Sequence, residues 1–348
     1  MEPHFPQHVT SSRVVPVKFT GDAATYFRLW IVNIFLTIIT LGVYSAWATV
    51  RNKRYFYGNT SIEGHRFEYL ATPLQILKGR ALAVGFFAIY LLSAHFMPLL
   101  GAVFALALVV LTPWMVNQGL SFNMRMTRYR NVHFSFRGNY SEAFINFVVL
   151  PFVSLFTLYL LLPYVIKRID SYIHNNIQYG NRAFNVELSG GEYYKTVLLC
   201  FLVCIALLLA IGVVGFAAFG NLQNSGFMLP VFLFAFNFAF VSFIAGLYQG
   251  RIRNHIFNHA QIDNVGYLGS RIEPLDYALL LLTNALAIVF TCGLAYPWAK
   301  VRKAHFLAEH SCLELVGDLN HIVDIEQQQQ SAFADEAANL FDVDVSLG

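Results

Sequence analysis

Two asparagines, Asn33 and Asn284, stand inside long apolar runs of the sequence. A carboxamide in hydrocarbon needs a partner, because lipid offers no hydrogen bond in place of water. It can bond another polar group across a helix interface, which is the simpler reading, or it can line a polar path for a solute. Arg51, Arg54 and Arg302 follow shortly after the ends of those same runs. Arginine at such a position can snorkel to lipid phosphates, or hold the mouth of a path and greet an anionic solute.

Other reactive side chains form weaker patterns. His255 and His259 are four residues apart, and His305 and His310 lie close to Glu309 and Cys312. They would make a metal site only if the loops converge, and interface histidines without a metal are the simpler expectation. Ile256 follows His255, so the pair lacks the glutamate of a zinc protease helix. No nucleophile elbow, phosphate-binding glycine loop or dinucleotide fingerprint occurs. Ser45, Ser154 and Ser242 fall in apolar segments without an identifiable catalytic partner. No enzyme activity, catalytic residue, cofactor or bound metal is therefore expected. Glu142, Glu192 and Asp276 lie at segment ends, and the apolar runs hold almost no acid. That scarcity argues against a proton or cation pump, whereas Asn33, Asn146, Asn237 and Asn284 suit a neutral or amphipathic solute.

The elements that would hold these residues are read from composition. The chain has 348 residues, 57% hydrophobic and only 12% charged. Its mean hydropathy is +0.53. Charge this sparse cannot cover a soluble surface, so the chain belongs in a bilayer. Apolar runs over about 27–50, 80–97, 99–118, 144–166, 196–219, 227–247 and 275–298 are each near the roughly 20 residues of a membrane helix. They predict an all-α polytopic protein with internal repeats and about seven membrane segments. A polar tail over 1–25 precedes the membrane domain (26–318), and an acidic tail (319–348) follows it. All 23 Lys and Arg lie at or before Lys303, and nine acids follow it. The basic body points to membrane lipids with anionic headgroups as partners, not to nucleic acid. Cys200, Cys204, Cys292 and Cys312 make no disulfide framework.

Two topologies fit. Seven complete spans, the preferred reading, place the N-terminus outside and leave the weakly basic 167–193 and 251–274 loops outside as well. Alternatively, segments one, four and seven enter and return on the cytoplasmic side, broken near Gly42, Pro163 and Gly293.

The strongest pattern is a repeat. Setting Trp47 on Trp298 brings Tyr26 onto Tyr277, Asn33 onto Asn284, Thr40 onto Thr291, Gly42 onto Gly293 and Arg51 onto Arg302 without a gap. A weaker copy places Tyr164, Arg168 and Asn176 in the roles of Trp47, Arg51 and Asn59. Each unit is a membrane helix feeding a basic amphipathic extension. "YFYGNTSIEGHRFEY" and "YRNVHFSFRG" alternate aromatic and polar residues and suggest small hairpins at the membrane surface.

The stretch "TLGVYSAWATVRNKRYFYGNT" followed by "ATPLQILKGR" resembles the DUF898 family of bacterial membrane proteins, on Gly42, Trp47, Arg51, Arg54, Asn59 and the run Leu77, Lys78, Gly79, Arg80. The resemblance covers about residues 15–318. The C-terminal copy departs from it, with His305 at the Arg54 position and His310 at the Asn59 position. The resemblance implies a multi-pass bacterial inner-membrane protein and brings no catalytic residue with it. A transporter or permease for a small solute is the leading functional expectation. A non-enzymatic membrane scaffold or lipid-binding protein is the alternative.

Overall fold

The computed structural model describes residues 13–218 and 228–316. The acidic tail (319–348), the first twelve residues and the "GNLQNSGF" turn lie outside the described residues.

Five helical units alternate with short strands. Strand β1 (Arg13–Phe19) leads to α1 (Ala23–Ile39), α2 (Ser45–Gly58) and the hairpin β2 (Thr60–Ile62) and β3 (His65–Tyr69). The second unit is α3 (Pro73–Phe96) and α4 (Pro98–Arg125), followed by β4 (Thr127–Tyr129) and β5 (Val132–Phe136). In the third, α5 (Tyr140–Phe144) runs through a π-helical turn, Ile145–Val149, into α6 (Leu150–Phe156). Helix α7 (Leu162–Asn175) then enters β6 (Ile177–Tyr179) and β7 (Arg182–Val186). The fourth unit is α8 (Gly190–Ala218) and α9 (Met228–Asn258), with β8 (Ala260–Ile262) and β9 (Gly266–Ser270). The fifth is α10 (Pro274–Phe290) and α11 (Tyr296–Glu309), ending in β10 (Ser311–Leu315).

The ten strands close into one antiparallel barrel in chain order, with β10 pairing back on β1. The fold is therefore mixed α and β, which corrects the all-α bundle of seven spans. The two suspected hairpins exist, but each is a piece of this barrel. Strands of three to five residues are too short to show alternation in a sequence window, and helical units separate the paired strands between hairpins. Residues 13–19 of the N-terminal polar stretch supply the closing strand.

Register fixes the topology. Phe19 pairs with Thr60, Tyr69 with Thr127, Phe136 with Ile177, Val186 with Ala260 and Ser270 with Ser311. In every unit the residue that leaves the barrel is thus hydrogen-bonded beside the residue that returns. Each helical excursion begins and ends on one rim, so segments one, four and seven return to the side they leave and are not single complete crossings. The far turns of the four units described there, Thr40–Tyr44, Met97, Thr157–Leu161 and Thr291–Ala295, contain no charged residue. The positive side is the barrel side, so the charge rule predicts a barrel that faces the cytoplasm.

Among the described residues, three helical stretches are long and apolar enough to cross a bilayer: Pro73–Phe96, Pro98–Arg125 and Gly190–Leu209. Helix α3 turns directly into α4, because a Cβ at Gly101 would meet Ala94 Cα at 2.5 Å. Helices α1 and α10, at 17 residues, are about 25 Å long, short of the roughly 30 Å hydrocarbon core, as a re-entrant helix would be. Their turns are greasy, with Leu41 95% exposed and Phe290 81%, as suits a tip that lies in lipid.

Backbone broken in lipid must find partners. Thr40 Oγ1 donates to Leu36 O and accepts from Tyr44 N at 2.9 Å. Thr291 does the same with Ala287 O and Ala295 N, and Thr157 with Ser154 O and Leu161 N. The next two residues take left-handed conformations: Leu41 and Gly42, Cys292 and Gly293, Leu158 and Tyr159. The third break therefore lies before Pro163, which sits in the first turn of α7. Thr291→Val removes both bonds and strands the Ala295 amide, so it should cost about 1–3 kcal/mol. The expected result is a lower melting temperature in detergent, with Thr291→Ser recovering most of the loss.

The barrel interior is packed. Val15, Ile62, Phe184, Ile262, Leu268 and Leu313 meet across it, and Phe67, Tyr129, Phe134 and Tyr179 fill the opposite half. Tyr129 donates its hydroxyl to Ile62 O at 2.8 Å, and Tyr179 donates to Tyr129 O. Between them, all ten strands contribute to these two clusters, so the barrel is a core and not a pore.

Candidate functional site

The second helix of each unit docks onto the chain just beyond the second strand of the hairpin that follows it. Arg54 donates from Nε to Tyr69 O and from Nη2 to Ala71 O. Asn254 grips Ile272 through both its N–H and its carbonyl, and His305 Nε2 lies 2.8 Å from Gly21 O. Arg54 and His305 occupy equivalent positions, so the substitution that distinguishes the two copies keeps the same task. Asn59 and Asn176 also share a role, each donating to the tyrosine carbonyl four residues earlier.

Asn33 and Asn284 are both buried, but each closes within its own unit. Asn33 donates to Asn52 Oδ1 at 3.4 Å, while its own Oδ1 is buried without a hydrogen-bond partner. Asn284 donates to Ala299 O at 3.2 Å and accepts from Arg302 Nη1 at 3.0 Å. Arg302 also donates to Thr283 Oγ1 and stacks over the Trp298 ring, 5.2 Å from its centroid. Arg51, its counterpart, is exposed and lies 5.9 Å from the Tyr44 centroid. The repeat thus brings Asn284 and Arg302 together and leaves Asn33 and Arg51 apart.

Arg302 opens into a cleft of about 410 Å³ between α10 and α11, lined by Asp276, Leu279, Leu280, Thr283, His305, Phe306 and Glu309. It is amphipathic, with leucines and a phenyl ring beside two acids and a guanidinium. The sequence offers Asp276 only as an end-of-segment charge, and Glu309 only beside His305, His310 and Cys312 as a possible metal site. The repeat register held the signal, because Thr25 and Gly58 stand at their positions in the first unit. A second cleft of about 380 Å³ lies between α8 and α9 and is almost wholly apolar, with Cys200, Cys204 and Ile244 in its wall.

A further cluster was not expected. Tyr193 donates to Asp170 Oδ2 at 2.7 Å. Burial raises the Asp170 pKa, opposed by that bond and by His174. The histidine pairs are engaged locally. Ser189 N donates to His255 Nε2 at 2.9 Å, and burial holds His255 below its usual range. His259 and His310 each bond a carbonyl one turn back. Among the described residues, no three His, Cys, Asp or Glu side chains converge as metal ligands.

Comparison with known proteins gives a consistent picture. A family model described as "Bacterial protein of unknown function (DUF898)" matches residues 14–340. Inner membrane protein YjgN of Escherichia coli strain K12 is 26% identical, over 90% of this chain and 91% of the relative. YjgN of Salmonella typhimurium strain LT2 is 25% identical, over 87% and 89%. No solved structure matches. These relatives and the membrane helices make it a multi-pass protein of the bacterial inner membrane. With the family model spanning nearly all of the barrel and its helical units, the chain belongs to the DUF898 family.

Proposed function

We propose that the protein is a non-enzymatic, lipid-binding membrane module that holds phospholipid headgroups at the cytoplasmic leaflet. The observation that carries this reading is the α10–α11 cleft, where Arg302 sits over leucines with Trp298 beneath it. A guanidinium next to apolar surface and an interfacial tryptophan suits a phosphate whose acyl chains run on into the bilayer. Arg51 above Tyr44 offers a second, simpler contact of the same kind.

Native mass spectrometry of the purified chain with added phosphatidylglycerol tests this. Arg51→Gln with Arg302→Gln keeps an amide donor and removes the charge. Retention of the tightest-bound lipid should fall about tenfold or more, since a charge-assisted bond contributes about 1.5–3 kcal/mol. Unchanged retention would refute the proposal.

A small-solute permease is the second reading. The buried oxygens of Asn33 and Asn146, without hydrogen-bond partners, favour it. In liposomes, it requires solute uptake that Asn33→Ala or Asn284→Ala changes.

A further inference from the structure

We infer that the α10–α11 cleft selects a phospholipid whose phosphate is followed by a primary ammonium, as in phosphatidylethanolamine. This rests on the lipid-binding reading and adds the headgroup class. The argument is one of depth and charge. Asp276 is the third residue of α10 and Glu309 the last of α11, so both acids stand at the barrel rim. Thr283 and Arg302 are each seven residues toward the membrane tip, about 10 Å deeper by helical rise. Trp298 lies one turn deeper still, 44% exposed. From bilayer to cytoplasm the cleft presents indole, guanidinium and then carboxylates. A phospholipid in the cytoplasmic leaflet presents acyl chain, phosphate and then ammonium in that order.

The groups are free to bind. Asp276 and Glu309 are exposed, and neither has an ion-pair or hydrogen-bond partner among the described residues. Arg302 is half-buried and uses Nη1 on Thr283 and Asn284, so its other nitrogens remain for a phosphate. Arg302 Nη2 makes no ion pair with either acid within the cleft. The separated charges match a zwitterion better than a single anion, which the acids would repel. The first unit supplies the internal contrast. There Thr25 and Gly58 replace the two acids, and the exposed carboxylate at that rim, Asp22, is already engaged by Thr25 N and Oγ1.

The test uses the full-length chain carrying Arg51→Gln, which removes the other arginine proposed to hold a phosphate. Its native mass spectra are recorded with equimolar phosphatidylethanolamine and phosphatidylglycerol. The expected result is preferential retention of phosphatidylethanolamine, with phosphatidylcholine, which has no N–H to donate, held more weakly. Asp276→Asn with Glu309→Gln should erase or invert the preference, a change of about five- to tenfold for two exposed charge contacts. Phosphatidylglycerol binding should persist in that variant. Adding Arg302→Gln should remove both lipids. If Arg302→Gln weakens both but the acid variant leaves the preference intact, the headgroup assignment is overturned and the lipid-binding reading stands. If Arg302→Gln changes neither lipid, both fall. Chain-free glycerophosphoethanolamine should not displace the lipid at equal concentration; displacement would make the occupant a soluble phosphoamine and overturn the lipid assignment. Matching melting temperatures for the acid variant and its parent show that it is folded, since neither acid has a partner in the structure.

Discussion

Tyr129→Ala should cost about 3–5 kcal/mol, the range for deleting a large aromatic from a core, and should sharply lower the melting temperature in detergent. Tyr129 is 5% exposed. Its ring lies 4.7 Å from that of Phe67 and 6.2 Å from that of Tyr179, both inside the barrel. Its hydroxyl also ties β4 to the Ile62 carbonyl of β2, across the intervening β3. Tyr129→Phe keeps the ring and loses one hydrogen bond, so it should cost only about 1 kcal/mol. That gap between the two variants distinguishes a filled barrel from an open one. In an open, hydrated barrel the alanine variant would melt close to the wild type. Burial also raises the phenol pKa of Tyr129, and of Tyr69 at the rim. A raised folded-state pKa means that stability is full below the unfolded value of about 10 and declines as pH rises through the folded one. The wild type should therefore lose stability in alkaline buffer, and part of that loss should vanish in Tyr129→Phe.

What the sequence made legible follows from the length over which each signal accumulates. The apolar runs sum over some twenty residues, and the repeat sums over the aligned positions from Tyr26 with Tyr277 to Arg51 with Arg302. Both survive in the structure: α1 and α10 are 17 residues long, α2 and α11 are 14, and their turns share one register. Re-entry was weighed from Gly42 and Gly293, but charge alone could not prefer it. The decisive information is the pairing of Phe19 with Thr60 and of Ser270 with Ser311, and pairing between distant strands leaves no local pattern. The barrel was missed for the same reason. A strand such as Thr60–Ile62 contributes three residues, too few to show alternation, and its hydrophobic content is one isoleucine. At the candidate site, Arg302 and Asn284 were visible because they repeat. Asp276 showed only as an end-of-segment charge and Glu309 only beside a histidine pair, because neither repeats, although a difference between copies is where one cleft can diverge in specificity.

Single cysteines placed on the barrel should react with a membrane-impermeant maleimide only from the cytoplasmic side, an all-or-none result. His65→Cys, Asn181→Cys and Asp263→Cys serve, each exposed at or beside a hairpin turn, in a chain from which the four native cysteines have been removed. Seven complete spans would put residues 181 and 263 on the opposite face from residue 65, so those two positions decide between the topologies. His95→Cys, near the α3–α4 turn, is the control for the far face and should label from the periplasm. Restoring Cys292 alone tests re-entry itself. It is exposed in the α10–α11 turn, next to greasy Phe290 and Leu294. A helix of about 25 Å starting at the headgroups ends short of the far surface, so this thiol sits in hydrocarbon. A thiol there cannot readily form the thiolate that attacks maleimide, because low dielectric disfavours its charge. It should label from neither side in intact membranes and label freely once detergent exposes it. Labelling of Cys292 from the periplasm would mean that α10 and α11 cross the bilayer as a complete hairpin, as α3 and α4 do, and would overturn re-entry.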